Sequence, residues 1–272
     1  MKTIRSERIG KVELRLVKTN DGYVGALFGG TPMPHIHGDD PDQLWAKLRA
    51  EVGKASPAYF GLDGARTRFL HLFPEGFEGT TFADEERNYK TKVAQFLKAN
   101  LPWTSALGAT AEDANVALKA FGKANLLSPF EAARLGDLFK TKDGPAFVRA
   151  AAQIADGAIS EGLKAMSELG KRHGKLSWPM ATYLPFFWRP ETHMFLKPEV
   201  TRDFAERIGH SFAQVYRPQL DAEVYRSVLD LAGAVRREMA DLNPRDLIDV
   251  QSFIWIVGAY SEADALKLAK PT

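Results

Sequence analysis

Between Lys11 and Lys18 the chain alternates strictly, with Val12, Leu14 and Leu16 on one side and Lys11, Glu13 and Arg15 on the other. A period of two predicts a strand with one buried face. Asn20-Asp21-Gly22 then supplies a reversal, because Gly22 accepts the positive φ of a tight turn. Tyr23 to Phe28 reads as the returning strand, and Pro34 to His37 as a third. At Asp40 the period changes. Asp40 predicts an N-cap with Pro41 as the first helical residue, and Leu44, Trp45, Leu48 and Val52 recur at helical spacing. Residues 1–56 are therefore expected to form a βββα module, a three-stranded antiparallel sheet covered by one helix.

Residues 57–80 set Gly61, Gly64, Pro74, Gly76 and Gly79 among Tyr59, Phe60, Phe69, Phe73 and Phe77, which predicts an ordered connector with aromatic anchors. From 81 to 272 the pattern is helical. A helix from Asp84 to Asn100 places Tyr89, Val93, Phe96 and Leu97 on one stripe and stops at Leu101-Pro102. Thr110 with Asp113, and Ser128 with Glu131, have the spacing of capping boxes and predict two further helix starts. The Ala-rich run from Pro145 to Leu169 reads as one long helix interrupted by Gly157 and Gly162. Helices follow near 199–209, 221–242, 245–257 (Asn243 as cap, Pro244 at its start) and 261–269. The expected fold class is α+β, a small sheet module ahead of a larger, mostly helical domain.

One segment stands apart. Residues 178–198, WPMATYLPFFWRPETHMFLKP, hold six aromatics and four prolines in 21 positions. Proline lacks the backbone N–H and excludes the interior of regular helices and central strands. The segment is therefore expected to be a long ordered loop over 177–198, presenting Arg189, Glu191, His193 and Lys197 on a packed aromatic base. The plainer expectation is that its rings wedge between helices while the charged groups stay in water.

Composition narrows the classes. Of 272 residues 45% are hydrophobic and 26% charged, as expected of a folded globular chain, and the formal net charge of +2 requires no polyanionic partner. The absence of cysteine excludes disulfides, thiolate metal sites and thiol nucleophiles. No apolar run is long enough to span a bilayer, so the expected location is cytoplasmic without a membrane partner. G-x-S-x-G, Walker A and G-x-G-x-x-G signatures are missing, which disfavours serine hydrolases and nucleotide-binding enzymes of the familiar types.

The remaining chemistry is local. His35-Ile36-His37-Gly38-Asp39-Asp40 puts two imidazoles on one side of an extended segment, as a shared cation would need. The string resembles the H-x-H-x-D-H motif of metallo-β-lactamase-type hydrolases, with Asp40 in place of the last histidine; the resemblance implies His35 and His37 as metal ligands. Glu191 and His193 are an acid/base pair in candidate. Between Lys164 and Arg217 nine basic residues stand against five acidic ones. With the basic helix after Asp84 they nominate Arg87, Lys90, Lys171, Arg172, Lys175, Arg189 and Lys197 for phosphate contacts; the alternative for that helix is a salt-bridged surface in which Glu86 pairs Lys90. Two helices around the turn at 125–127 share the spacing of a helix-turn-helix, although Pro129-Phe130-Glu131 is a poor start for reading base edges. In shape alone, the sheet-and-helix module resembles the partial RNase H fold of antitoxin-like proteins and the N-terminal arms of some DNA-binding proteins.

These observations favour a binding protein over an enzyme, with no cofactor expected. The first reading is a nucleic-acid-binding accessory protein that contacts DNA or RNA phosphates through a basic and aromatic surface. The second is a subunit of a larger assembly that docks a protein partner through Trp178 and Trp188. The third is a metal- or His-dependent hydrolase.

Overall fold

A computed structural model of the chain describes residues 2–9, 12–29, 35–54, 61–261 and 264. An antiparallel sheet comes first, followed by helices, so the α+β class holds with one strand more than expected. The strands β1 (Lys2–Ile9), β2 (Val12–Thr19), β3 (Gly22–Phe28) and β4 (Ile36–Gly38) pair in sequence order, all antiparallel. The additional strand is β1. Its residues KTIRSERI offer no alternation because it lies at an edge with a register shift between Thr3 and Arg5, where charge and irregularity discourage pairing with other chains.

Helix α1 (Pro41–Lys54) opens as expected, with Asp40 Oδ1 accepting from the backbone N–H of Asp42 at 2.8 Å. Leu44, Trp45 and Leu48 of α1 close over Leu14 and Leu16 of β2, flanked by Tyr23, Leu27 and Ile36. The approach is tight at Gly25, where an added Cβ would lie 2.6 Å from Leu48 Cδ1. Gly25→Ala should therefore cost about 1–3 kcal/mol by overpacking, read as a lower urea midpoint at unchanged slope.

The helices that follow are α2 (Gly61–Leu72), α3 (Thr80–Phe82), α4 (Asn88–Asn100), α5 (Trp103–Ala106), α6 (Ala111–Phe121), α7 (Pro129–Phe139) and α8 (Gly144–Ala155). After them come α9 (Ile159–His173), α10 (Trp178–Trp188), α11 (Pro198–Arg207), α12 (Phe212–Val215), α13 (Ala222–Glu238) and α14 (Leu247–Ala259). By internal contacts the chain divides into residues 1–66 with 202–216, and residues 67–201 with 217–272. The larger unit has two ring clusters. In one, Phe69 meets Phe73, Phe77, Phe82 and Phe253; in the other, Phe121 meets Phe139, Phe147 and Tyr183.

Both capping boxes form, at Thr110/Asp113 and Ser128/Glu131. The predicted single helix over 145–169 is two, because Gly157 adopts φ +99° and breaks the chain between α8 and α9. The start of α14 is also corrected. Asp246, not Asn243, is its N-cap and accepts from Ile248 N at 2.9 Å, while Asn243 takes a left-handed conformation at φ 54°. All but Ser261 and Asp264 of the expected helix at 261–269, the strand start at Pro34 and the anchors Tyr59 and Phe60 lie outside the described residues.

The largest correction concerns 178–198. Residues 178–188 form helix α10, and only 189–197 are irregular. The prolines are spaced so that a helix survives: Pro179 sits in the first turn, where its N–H would be unpaired anyway, Pro190 follows the last turn and Pro198 opens α11. Pro185 alone interrupts the ladder. Every residue from Trp178 to Phe187 is buried, as a helix apolar on all sides must be.

Candidate functional site

Of Arg189, Glu191, His193 and Lys197, expected to be presented together, only His193 is buried. His193 is 4% exposed, with Nε2 3.3 Å from the Ala155 carbonyl and Nδ1 3.3 Å from the Tyr225 hydroxyl. Burial pushes its pKa down to about 4; the Ala155 carbonyl opposes that shift and Arg189 adds to it. Glu191 stays exposed on the turn, so the acid/base pair expected of these residues is split between water and core. Arg189 donates from Nη1 to the Ala155 carbonyl at 3.0 Å and lies over the Trp103 ring. Trp178 and Trp188, expected to dock a partner, are both tied to backbone carbonyls, Trp178 buried and Trp188 half-buried. Trp178 is 1% exposed and donates Nε1–H to the Arg217 carbonyl at 2.9 Å, and Trp188 donates to the Leu101 carbonyl at 2.7 Å.

Arg87 and Lys90 are not surface cations. A π-helical turn over Ala83–Arg87 precedes α4, and Glu86 and Lys90 are both buried, Lys90 on the same face of α4 as Val93 and Leu97. Lys90 Nζ donates to Glu86 Oε2 at 2.8 Å and Ser252 Oγ at 2.7 Å, while the Tyr260 hydroxyl donates to Glu86 Oε1 at 2.8 Å. Burial lowers the Lys90 pKa against the pull of Glu86. Arg87 reaches Asp246 Oδ2 and Asp249 Oδ1, each at 2.7 Å, and Arg245 Nε meets Asp249 Oδ2 at 2.9 Å. Burial works against the Arg87 charge, but its bonds to the two aspartates prevail and raise its pKa. Asp249 has no solvent exposure.

Among the described residues of the larger unit, two concavities are lined by lysines. One, with a volume of about 90 Å³, is lined by Tyr89 and Lys90 of α4, Phe195 and Lys197 of the segment before α11, and Gln251 and Trp255 of α14. Asn125 stands at its exposed rim. Lys197 Nζ donates to the Leu126 carbonyl at 3.1 Å. Burial raises the Tyr89 pKa, helped by Glu86 and Tyr183, so the phenol remains protonated. Sequence reasoning nominated Lys90 and Lys197 without any sign that they line one pocket.

The other concavity is a shallow groove at the end of α9, lined by Ser167, Gly170, Lys171, Lys175, Leu176 and Gln219. Lys171 pairs with Glu168 at 2.7 Å, Arg172 with Asp143 at 3.1 Å, and His173 Nε2 lies 2.7 Å from the same aspartate. Arg134 Nη1 donates to the Lys175 carbonyl at 2.6 Å. One helical turn ahead of Arg134 on α7, Phe130 is 86% exposed. It was passed over in the sequence because it lies in a turn that suits no major-groove reader.

His35 and His37 are both exposed, and among the described residues no group of three or more His, Cys, Asp or Glu is placed to hold a metal ion. Also among the described residues, no helix is long and apolar enough to cross a membrane. Comparison with known protein families, with curated proteins and with solved structures finds no match.

Proposed function

We propose that the protein binds single-stranded nucleic acid at the surface shared by α7 and the end of α9. The observation that carries this reading is Phe130, an 86%-exposed ring one turn from Arg134, whose guanidinium is fixed to the Lys175 backbone. A solvent-facing ring beside fixed and mobile cations is the arrangement that stacks a base and holds the adjoining phosphates. Lys171 and Arg172 extend the positive edge, although each already meets a carboxylate and contributes less than a free cation. Arg87 and Lys90, held in buried pairs, have no part in it.

Binding of a labelled single-stranded oligonucleotide, followed over a salt series, is expected to weaken with a log–log slope of about −2 to −3 for three or four neutralised phosphates. Phe130→Ala should weaken it about tenfold by removing one stacking platform, and Lys175→Glu at least as much. An affinity indifferent to salt, or unchanged in Phe130→Ala, rejects the reading.

A further inference from the structure

Asp143, which precedes α8, is shared by two neighbours in the last turn of α9. His173 Nε2 lies 2.7 Å from its Oδ2, and Arg172 Nε lies 3.1 Å from the same oxygen. The bond from His173 holds the Asp143 carboxyl below the ordinary carboxylate range; burial opposes that shift and Arg172 adds to it. An ionised carboxylate only accepts, so the proton of a neutral His173 ring sits on Nε2 and the lone pair on Nδ1. Nδ1 makes no hydrogen bond among the described residues, and the side chain keeps 21% of its surface open to solvent. A carboxylate that fixes the tautomer through one ring nitrogen and leaves the other accessible is the arrangement of a general base.

The neighbours of His173 supply its substrate. Gly174 takes φ +84° at the end of α9, and a Cβ added there would lie 3.7 Å from Arg134 Nε. Arg134 donates to the Lys175 carbonyl at 2.6 Å and has other N–H groups to offer a phosphate. A phosphodiester held at Arg134 therefore lies alongside the turn that carries His173. We propose that the protein cleaves single-stranded RNA at this surface by transesterification, with His173 as general base. The inference rests on the strand-binding reading above. His173 Nδ1 takes the proton of a ribose 2′-hydroxyl, the 2′-oxygen forms a bond to the adjacent phosphorus, and the bond from phosphorus to the 5′-oxygen breaks. The leaving oxygen takes a proton from solvent and His173 returns its own to solvent. The products are a 2′,3′-cyclic phosphate and a 5′-hydroxyl, and no co-reactant is consumed. Arg134 stands against the charge that builds on the phosphoryl oxygens. DNA has no 2′-hydroxyl and is bound without being cut.

The full chain, in EDTA, is incubated with a labelled single-stranded RNA and with DNA of the same sequence, and binding of both is measured in parallel. RNA is expected to yield 2′,3′-cyclic phosphate ends, and DNA to be bound intact. His173→Gln should lower kcat at least about a hundredfold, with KM within about threefold of the parent. Asp143→Asn should also lower kcat at nearly unchanged KM, because an amide donates to Nε2 and moves the ring proton to Nδ1. A merely structural Asp143 would move KM and Tm instead. DNA bound with RNA uncut overturns the activity and leaves the binding surface standing, whereas failure to bind either strand overturns both. Cleavage undiminished in His173→Gln, or abolished by EDTA in the parent, overturns the activity as well.

Discussion

Replacing Asp249 by alanine is expected to lower the unfolding free energy by about 3–5 kcal/mol, the cost of removing one partner from a buried ion pair. The carboxylate is inaccessible to solvent and serves two guanidiniums, accepting from Arg87 at 2.7 Å and from the backbone N–H and Nε of Arg245, each at 2.9 Å. Without it, Arg87 retains Asp246, and among the described residues Arg245 retains the Phe77 carbonyl. Adding Arg87→Met should recover part of the loss, because one of the stranded charges goes with its partner. Urea unfolding of the single and double variants checks both statements; an Asp249→Ala midpoint within 1 kcal/mol of the parent, by the ordinary extrapolation, would show that the network contributes little.

The second large effect is in pH. His193 titrates near 4 in the folded chain, against an ordinary value of 6.5. Between those values the unfolded chain takes up a proton that the folded chain refuses, so stability rises with pH across the window. The contribution is complete above about pH 6.5 and falls away as the pH drops toward 4, by about 3 kcal/mol in all and about 2 kcal/mol by pH 5. Most carboxylates remain ionised between pH 7 and 5, which makes that interval the cleanest place to look. His193→Gln, with no titrating ring, should show a correspondingly flatter stability profile there. Parallel profiles for the two proteins would mean that the ring is not held neutral.

The unequal legibility of the sequence has physical causes. The β2–β3 hairpin, α1 and the two capping boxes rest on interactions within a few residues, and these were readable at Leu14, Gly22, Asp40, Thr110 and Ser128. What failed depended on distant partners. β1 was hidden because an edge strand need not be apolar, and α10 because proline preferences were outweighed by burial of a wholly apolar segment. Arg87 and Lys90 read as surface cations because the groups that hold them inside, Asp246, Asp249 and Ser252, lie far along the chain. The pocket was beyond reach for another reason: Tyr89 and Trp255 lie far apart in the chain, and nothing local marks Gln251 as their neighbour. Phe130 was visible as a residue, but its exposure could not be inferred from its place beside a cap.

The two helices that are apolar on all sides, α10 and α14, begin at positions 178 and 247. During synthesis α10 leaves the ribosome well before α14 exists, and α14 with its cap carries Asp246 and Asp249, which neutralise Arg87. A nascent chain that stalls in between displays greasy surface and unmatched charge together, the combination that recruits holding chaperones and degradative machinery. Ribosome-release conditions should therefore govern the yield of this protein more strongly than the stability of its finished form.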